Sequence, residues 1–304
     1  MTQTPAAATT HPRRVDVPIV QRRRKPSGRG HVLRTTIFYI IMTLVVIGIL
    51  LPLWTMAVAS LSPVKSLYSN HVPLWPQSFR LSNFVDAWHA APFGRYYLNS
   101  IFTTVAIVVL QLITSSLAAY AFAFVRFKAA KAVFGLVVLA MFVPTQAVFV
   151  ASYILISDYG WIDSYQALII PFAASAFGIF FLTQSFRSFP YEIIESGRVD
   201  GCSHLRALRS LVLPNARPAL ATLALINGVF HFNYFFWPLI ITNSESHRVL
   251  PVGLTTMASE SGGDQLIQWN QVMAADVFMV APLIVLFALA QRVMVRGVAR
   301  VGIR

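Results

Sequence analysis

Five stretches of this chain run for more than about 20 residues without a charged side chain: Thr35–Val64, Tyr96–Val125, Ala132–Ser157, Ser164–Phe186 and Pro218–Ser244. That is enough for an apolar helix to cross a bilayer, which takes roughly 20 residues. A sixth stretch, Val272–Met294, qualifies with Asp276 near one end. Barrel strands are excluded by pattern, because they alternate apolar and polar positions, and "FYIIMTLVVIGILL" does not alternate. The expected fold class is therefore all-α: a polytopic membrane protein with six transmembrane helices. Pro52, Pro144, Pro171, Pro238 and Pro282 fall inside the windows, where neighbouring helices can satisfy the carbonyls that a kink frees.

Charged residues make up 12% of the chain, about half the proportion usual in soluble domains. The net charge of +13 would point to nucleic acid in a soluble protein, but its placement gives a different reason. Lys and Arg number 8 in residues 1–34, 3 in 126–131, 5 from Arg187 to Arg217 and 4 from Arg292 onward. The intervening segments hold only Lys65, Arg80, Arg95 and Arg248. The positive-inside rule reads this as six spans with both termini in the cytoplasm, and no nucleic-acid partner is expected. Residues 1–32 read as a disordered basic cytoplasmic tail whose "RRRK" is drawn to anionic membrane lipid. Residues 33–304 form the expected six-helix membrane domain. The single cysteine, Cys202, permits neither an internal disulfide nor a cysteine metal cluster.

One charged segment interrupts the greasy pattern: "FPYEIIESGRVDGCSHLRALRSLVLPNARP", Phe189–Pro218, within a loop of about 187–217. Pro190 suits the start of a short helix over "YEIIESGRV", and "DG" breaks it. Ser203 can cap a second helix, "HLRALRSLVL", with Leu205, Leu208 and Leu211 on one face and Arg206 and Arg209 elsewhere. Pro214 is expected to stop it. An amphipathic helix lying on the membrane would have the same pattern. Glu192, Glu195 and Asp200, however, would be repelled by anionic lipid and could pair with a basic protein surface.

"ESGRVDG", followed eleven residues later by "LP", resembles the EAA loop of ABC-importer permeases in its sugar-importer form. Glu195 takes the glutamate position, Ser196 and Gly197 stand where the pattern has two alanines, Gly201 is the glycine, and Leu213–Pro214 is the closing pair. The likeness extends over about residues 36–304. "LNS" brings Asn99 and Ser100 into the family's N-S entry, and "FNYFFWPLIIT" matches its fifth-helix segment at Asn233, Pro238 and Leu239, with Phe232 in place of tryptophan. "LPVGL" and "QRVMVRG" follow, while the usual G-A-V-K-G ending is blurred to "RVGIR". The chain is identified as a member of the maltose-type second-permease group. That resemblance implies a type I importer fold and four partners: a homologous permease subunit, a cytoplasmic ATPase dimer, an extracellular or periplasmic solute-binding protein, and a carbohydrate substrate. It implies that Glu195 pairs with an ATPase arginine and that Gly201 sets the elbow angle. The Leu205/Leu208/Leu211 face would then fill an apolar cleft, with Asp200 and Pro214 in the same coupling surface.

No G-x-x-x-x-G-K-[ST] phosphate loop occurs, and Lys65–Ser66 lacks its glycines. This chain is therefore expected to bind no cofactor, with ATP and magnesium held on the partner ATPase. An ion-coupled carrier is the competing class, but such carriers use intramembrane carboxylates, and here the one candidate is Asp276 near a span end. A membrane enzyme would need to build its site from outer-loop acids such as Asp158 and Asp163, which share one short turn. For the translocation pathway the expected residues are Asn233 and Trp237, four apart on one helix face, with His231 at middle depth. The histidine reads first as one bonded to a neighbouring helix. A glycerol phosphate is the alternative substrate class, although no Lys or Arg lies deep in a span to neutralise it.

Overall fold

The structure, a computed structural model, describes residues 29–69, 74–76, 78–260 and 267–301. The expected basic tail lies outside these residues except at its end, where Arg29–Val32 already belong to the first helix. The described secondary structure is helical, with no strand among the described residues.

The chain divides between Leu51 and Pro52 into two units. Helix α1 (Arg29–Leu61) supplies the first unit as far as Leu51. Its side chains there are apolar and exposed, from Leu33 through Ile40 to Leu50. This is the state of a helix whose solvent is lipid or another subunit.

The second unit begins with the end of α1 and continues through α2 (Val64–Leu67), α3 (Ser82–Ala90) and α4 (Phe93–Phe124). α4 carries 32 residues without a break, because it contains no proline and no charge after Arg95. The third window is not one rod. α5 (Ala130–Ala140) and the segment from a 3₁₀ turn at Thr145–Val148 into α6 (Phe149–Asp158) meet at 96°. Pro144 accounts for the break, since it lacks an N–H, disfavours helix at Val143 and is itself extended, with ψ 129°. α7 (Tyr165–Ile169), a 3₁₀ turn containing Pro171, and α8 (Ala176–Arg187) make a second bent pair, at 42°. Next come α9 (Tyr191–Val199), α10 (His204–Ala207) and α11 (Leu213–Asn215), then α12 (Arg217–Phe232) and α13 (Phe236–Ile241), which are separated by residues 233–235. α14 (Leu250–Glu260) and α15 (Trp269–Val301) close the described chain, with Pro282 tolerated inside α15.

Three cores hold this unit together. At one end of α4, Tyr120 and Phe124 are buried with Phe186 of α8, Ile194 of α9, Leu208 and Val212, and Leu223 of α12. At its other end Phe93 and Tyr96 are buried with Leu250 and Leu254 of α14 and Ala274 and Ala275 of α15. A third core places Trp237 and Ile241 of α13 against Ala167 and Leu168 of α7. Asn99 fastens this region. Its Nδ2 donates to the carbonyls of Ser246 (2.9 Å) and Arg248 (2.8 Å), and its Oδ1 accepts from the Tyr165 hydroxyl at 2.7 Å. The neighbouring Ser100 Oγ accepts the Leu250 N–H at 2.8 Å.

Candidate functional site

The charged segment folds as an elbow. α9 ends in a Schellman turn: the Cys202 N–H donates to the Gly197 carbonyl (2.9 Å) and the Gly201 N–H to that of Arg198 (3.0 Å). Gly201 supplies the left-handed residue this turn requires, at φ +80°. Ser203 then caps α10, its Oγ accepting from the Arg206 N–H at 3.4 Å. Gly197 lies in the crook, where an added Cβ would stand 3.2 Å from Leu211 Cδ1. The two arms therefore touch through a residue with no side chain.

Beyond α10 the register changes. Leu208–Val212 forms a single π turn, with the Leu213 N–H reaching back to the Leu208 carbonyl. Pro214 does not stop the helix as expected. The widened turn spreads the carbonyls its ring would strike, and helix continues to Asn215, whose Nδ2 donates to the Leu211 carbonyl at 2.7 Å. The chain turns only at Ala216.

This register also corrects the expected docking face. Leu205 is 66% exposed, but Leu208 is only 4% exposed and belongs to the core shared with α4 and α8. Leu211 and Leu213 are half-buried against the same core. Leu208 and its neighbours hold the elbow to the bundle, and Tyr120 of α4 reinforces the joint with its hydroxyl 3.3 Å from His204 Nδ1. The outward surface consists of Glu192, Glu195, Ser196, Arg198, Asp200, Leu205 and Arg206 around Val199, which is 84% exposed. Among the described residues the carboxylates of Glu192, Glu195 and Asp200 take part in no ion pair. A surface with a bare valine, a bare leucine and unpaired acids, rigidly backed, is suited to contact with protein.

The expected pathway residues separate. Asn233 and Trp237 do not share a helix face, because the helix breaks between them. Asn233 is exposed at the end of α12, with its Nδ2 donating to the Val229 carbonyl at 2.8 Å. Trp237 is buried, its indole N–H donating to the Ala167 carbonyl at 2.9 Å and its ring stacked on Phe149. It is a core residue that fixes α13 to α7. His231 joins a network that sequence reading did not anticipate. Gln111 Nε2 donates to the Phe172 carbonyl (2.8 Å) and lies 3.1 Å from His231 Nε2, while Gln111 Oε1 accepts from Asn227 Nδ2 (2.6 Å). A carbonyl can only accept, so the amide faces Phe172 with its nitrogen. His231 Nε2 is then an acceptor, and the ring proton sits on Nδ1, which is buried without a protein partner. The signal for this network was a glutamine and an asparagine in otherwise apolar windows. Asp276 stands about two turns into α15, deeper than expected, because that helix begins at Trp269.

On the far side of the bundle from the elbow, Asp163 adopts φ 56° and organises the segment after α13. Its Oδ1 accepts the N–H groups of Asn243 (3.0 Å) and Ser244 (3.1 Å), with His247 Nδ1 at 3.6 Å. Burial alone pushes this carboxyl up. Hydrogen bonds from the Ser244 hydroxyl and the two N–H groups, with His247 beside it, outweigh that and hold it below the usual carboxylate range.

A helical bundle with a rigid charged elbow and no clustered reactive groups among the described residues has the architecture of a membrane transport subunit. The chain belongs to the family of binding-protein-dependent transport system inner membrane components, whose model matches residues 111–300. It is thus a multi-pass inner-membrane permease subunit of an ABC importer and not an enzyme, in agreement with the resemblance of its EAA loop. Relatives include the sn-glycerol-3-phosphate transport system permease protein UgpE of Yersinia pestis bv. Antiqua. It is 33% identical over 265 residues, covering 85% of this chain and 94% of the relative. The arabinooligosaccharides transport system permease protein AraQ of Halalkalibacterium halodurans is 28% identical over 256 residues, 83% of this chain and 90% of the relative. Among solved structures, a bacterial ABC transporter involved in the import of the acidic polysaccharide alginate contains a chain with the same fold. The TM-score is 0.79 at 23% identity, covering 87% of this chain and 98% of that one. A second structure shows the alginate ABC transporter in complex with an alginate pentasaccharide-bound periplasmic protein, with a TM-score of 0.62 at 17% identity.

Proposed function

We propose that this chain is one of two homologous permeases forming the pathway of an ATP-driven carbohydrate importer. It crosses the membrane six times with both termini in the cytoplasm, and receives sugar from a solute-binding protein on the outer side. It binds no nucleotide itself; ATP and magnesium sit on a cytoplasmic ATPase dimer, and the elbow at 187–217 seats in that dimer. The observation that carries this reading is the two-sidedness of the elbow. One face is welded to α4, α8 and α12 through Leu208, Val212 and Ile194, and the other offers unpaired Glu195 and exposed Val199 and Leu205. Movement of the ATPase would pass through such a piece as a rigid displacement of three helices.

AraQ and the alginate transporter favour a carbohydrate, whereas UgpE is named for a polyol phosphate. The polar groups at middle depth here are amides and an imidazole, Gln111, Asn227 and His231, which suit hydroxyls better than a phosphate dianion. The test is uptake of radiolabelled sugars, with glycerol phosphate as comparator, by proteoliposomes holding the whole complex. Glu195→Lys should abolish ATP-driven uptake while the two permeases still co-purify. Uptake by this chain alone under a proton gradient would establish an ion-coupled carrier instead, and preferential uptake of glycerol phosphate would overturn the substrate class.

A further inference from the structure

Where α4 ends and α5 begins, on the same side as the elbow, the surface folds into a pocket of about 840 Å³. Arg126, Lys128 and Lys131 of the connecting turn and Arg187 at the end of α8 line it, together with Phe127 and with Tyr191 at the start of α9. Among the described residues none of these four cations forms an ion pair. Arg187 is held in place by its guanidinium, which lies 5.0 Å over the Phe134 ring. The pocket also receives the N-terminus of the eleven-residue α5, which has no side-chain cap. The Ala130 N–H reaches the Phe127 carbonyl, but those of Lys131 and Ala132 find no backbone acceptor. Four like charges and two free N–H groups at a positive helix end repel one another unless an anion lies among them.

The apolar surroundings identify the kind of anion. From the pocket, α5 runs away with Val133, Leu136 and Leu139 exposed in succession. An acidic protein loop would have no use for that greasy track, but an acyl chain attached to the phosphate would lie along it. We infer that this pocket holds the phosphate-bearing headgroup of one anionic phospholipid of the cytoplasmic leaflet, bridging the α4–α5 turn to the base of the elbow. The leaflet rests on the orientation proposed above; the chemistry of the site does not. Occupied, the pocket would tie Arg187 and Tyr191, the residues that launch the elbow, to the turn of a neighbouring hairpin.

The test is native mass spectrometry of the assembled complex released from nanodiscs of phosphatidylcholine containing phosphatidylglycerol. The readout is bound lipid, which does not depend on transport. Each cation near an anionic headgroup contributes roughly fivefold in affinity. Arg126→Gln/Lys128→Gln/Lys131→Gln should therefore weaken phosphatidylglycerol retention on the order of a hundredfold. Arg187→Gln is made separately, because it also removes the contact with Phe134, and should cost roughly fivefold. Lys65→Gln/Arg80→Gln/Arg95→Gln, which removes the same charge elsewhere, should leave retention unchanged, and millimolar inorganic phosphate should not displace the lipid. Three results would overturn the inference: equal lipid retention by the triple variant and wild type, displacement by inorganic phosphate, or loss of the ATPase from the triple variant with lipid retained. These would mean no site, a soluble-anion site, and a site for an acidic protein surface, respectively.

Discussion

The π turn at Leu208–Val212 makes a sharp prediction, because it assigns neighbouring leucines to opposite tasks. Leu208 is 4% exposed among Tyr120, Phe124, Phe186 and Ile194, whereas Leu205, one turn earlier, is 66% exposed. Truncating a leucine in a packed core costs about 2–5 kcal/mol, the spread reflecting how far the site can collapse. This site is walled by aromatic rings from two long helices, and collapse would require those helices to move, so the cost should fall in the upper half of that range. Truncating an exposed leucine changes stability by at most about 0.5 kcal/mol. The assay uses Cys202, which is half-buried at the elbow turn. The permease pair is purified without its ATPase, with the other subunit stripped of cysteines, and a thiol-reactive dye follows opening of the elbow on heating. Leu208→Ala should lower the midpoint clearly and Leu205→Ala should leave it in place. Retention of the ATPase on the assembled pair should show the reverse order of sensitivity at permissive temperature. If the two variants melted alike, or if Leu208→Ala were neutral in isolation yet released the ATPase, the inward assignment of Leu208 would be wrong.

Two further outcomes are expected. Gly201→Val places a β-branched residue at φ +80°, which costs about 1–2 kcal/mol or more; Gly201→Asn should cost less, and the ratio of sugar imported to ATP hydrolysed should fall in that order. At Asp163 the folded carboxyl lies below its unfolded value, so its contribution is present above the unfolded value and disappears as pH falls through the folded one. Hydrogen-exchange protection of the Asn243 and Ser244 amides should hold at neutral pH and fade below about pH 4. Asp163→Asn keeps a residue that tolerates φ 56° and should abolish that pH dependence; a persistent dependence would place the titration elsewhere.

The membrane class, the elbow and its cap were legible in the sequence because each rests on local chemistry: uncharged runs, a DG turn, a serine ahead of a helix. What was not legible depends on partners distant in the chain. The leucine stripe was assigned at helical spacing, but five residues of π turn rotate everything after Leu208, and no local signal distinguishes that turn from regular helix. Pro214 would normally end a helix; here the wider turn admits it. Asn233 and Trp237 share a face only if the helix between them is continuous. The aromatic run that made them look like a sugar platform instead supplies Trp237 as an anchor against Ala167 and Phe149.

That break carries an argument of its own about the pathway. Residues 233–235 interrupt the fifth apolar window, and interruption at membrane depth leaves backbone groups that lipid cannot satisfy. Part of the demand is met internally, by the Asn233 and Tyr234 N–H groups donating to the carbonyls of Val229 and His231. The Asn233 side chain donates to the same Val229 carbonyl, yet it stands exposed with its own Oδ1 unused by the described residues. An open amide beside a broken helix is costly against acyl chains and inexpensive against water, a hydroxylated solute or a second subunit. The surface carrying Asn233, with exposed Phe230 beside it, is therefore the face that cannot look into lipid. On the reading proposed above, it faces the paired permease across the passage, and the polar seam of Gln111, Asn227 and His231 lies directly behind it, at the depth where an unpartnered imidazole N–H can meet a hydroxyl.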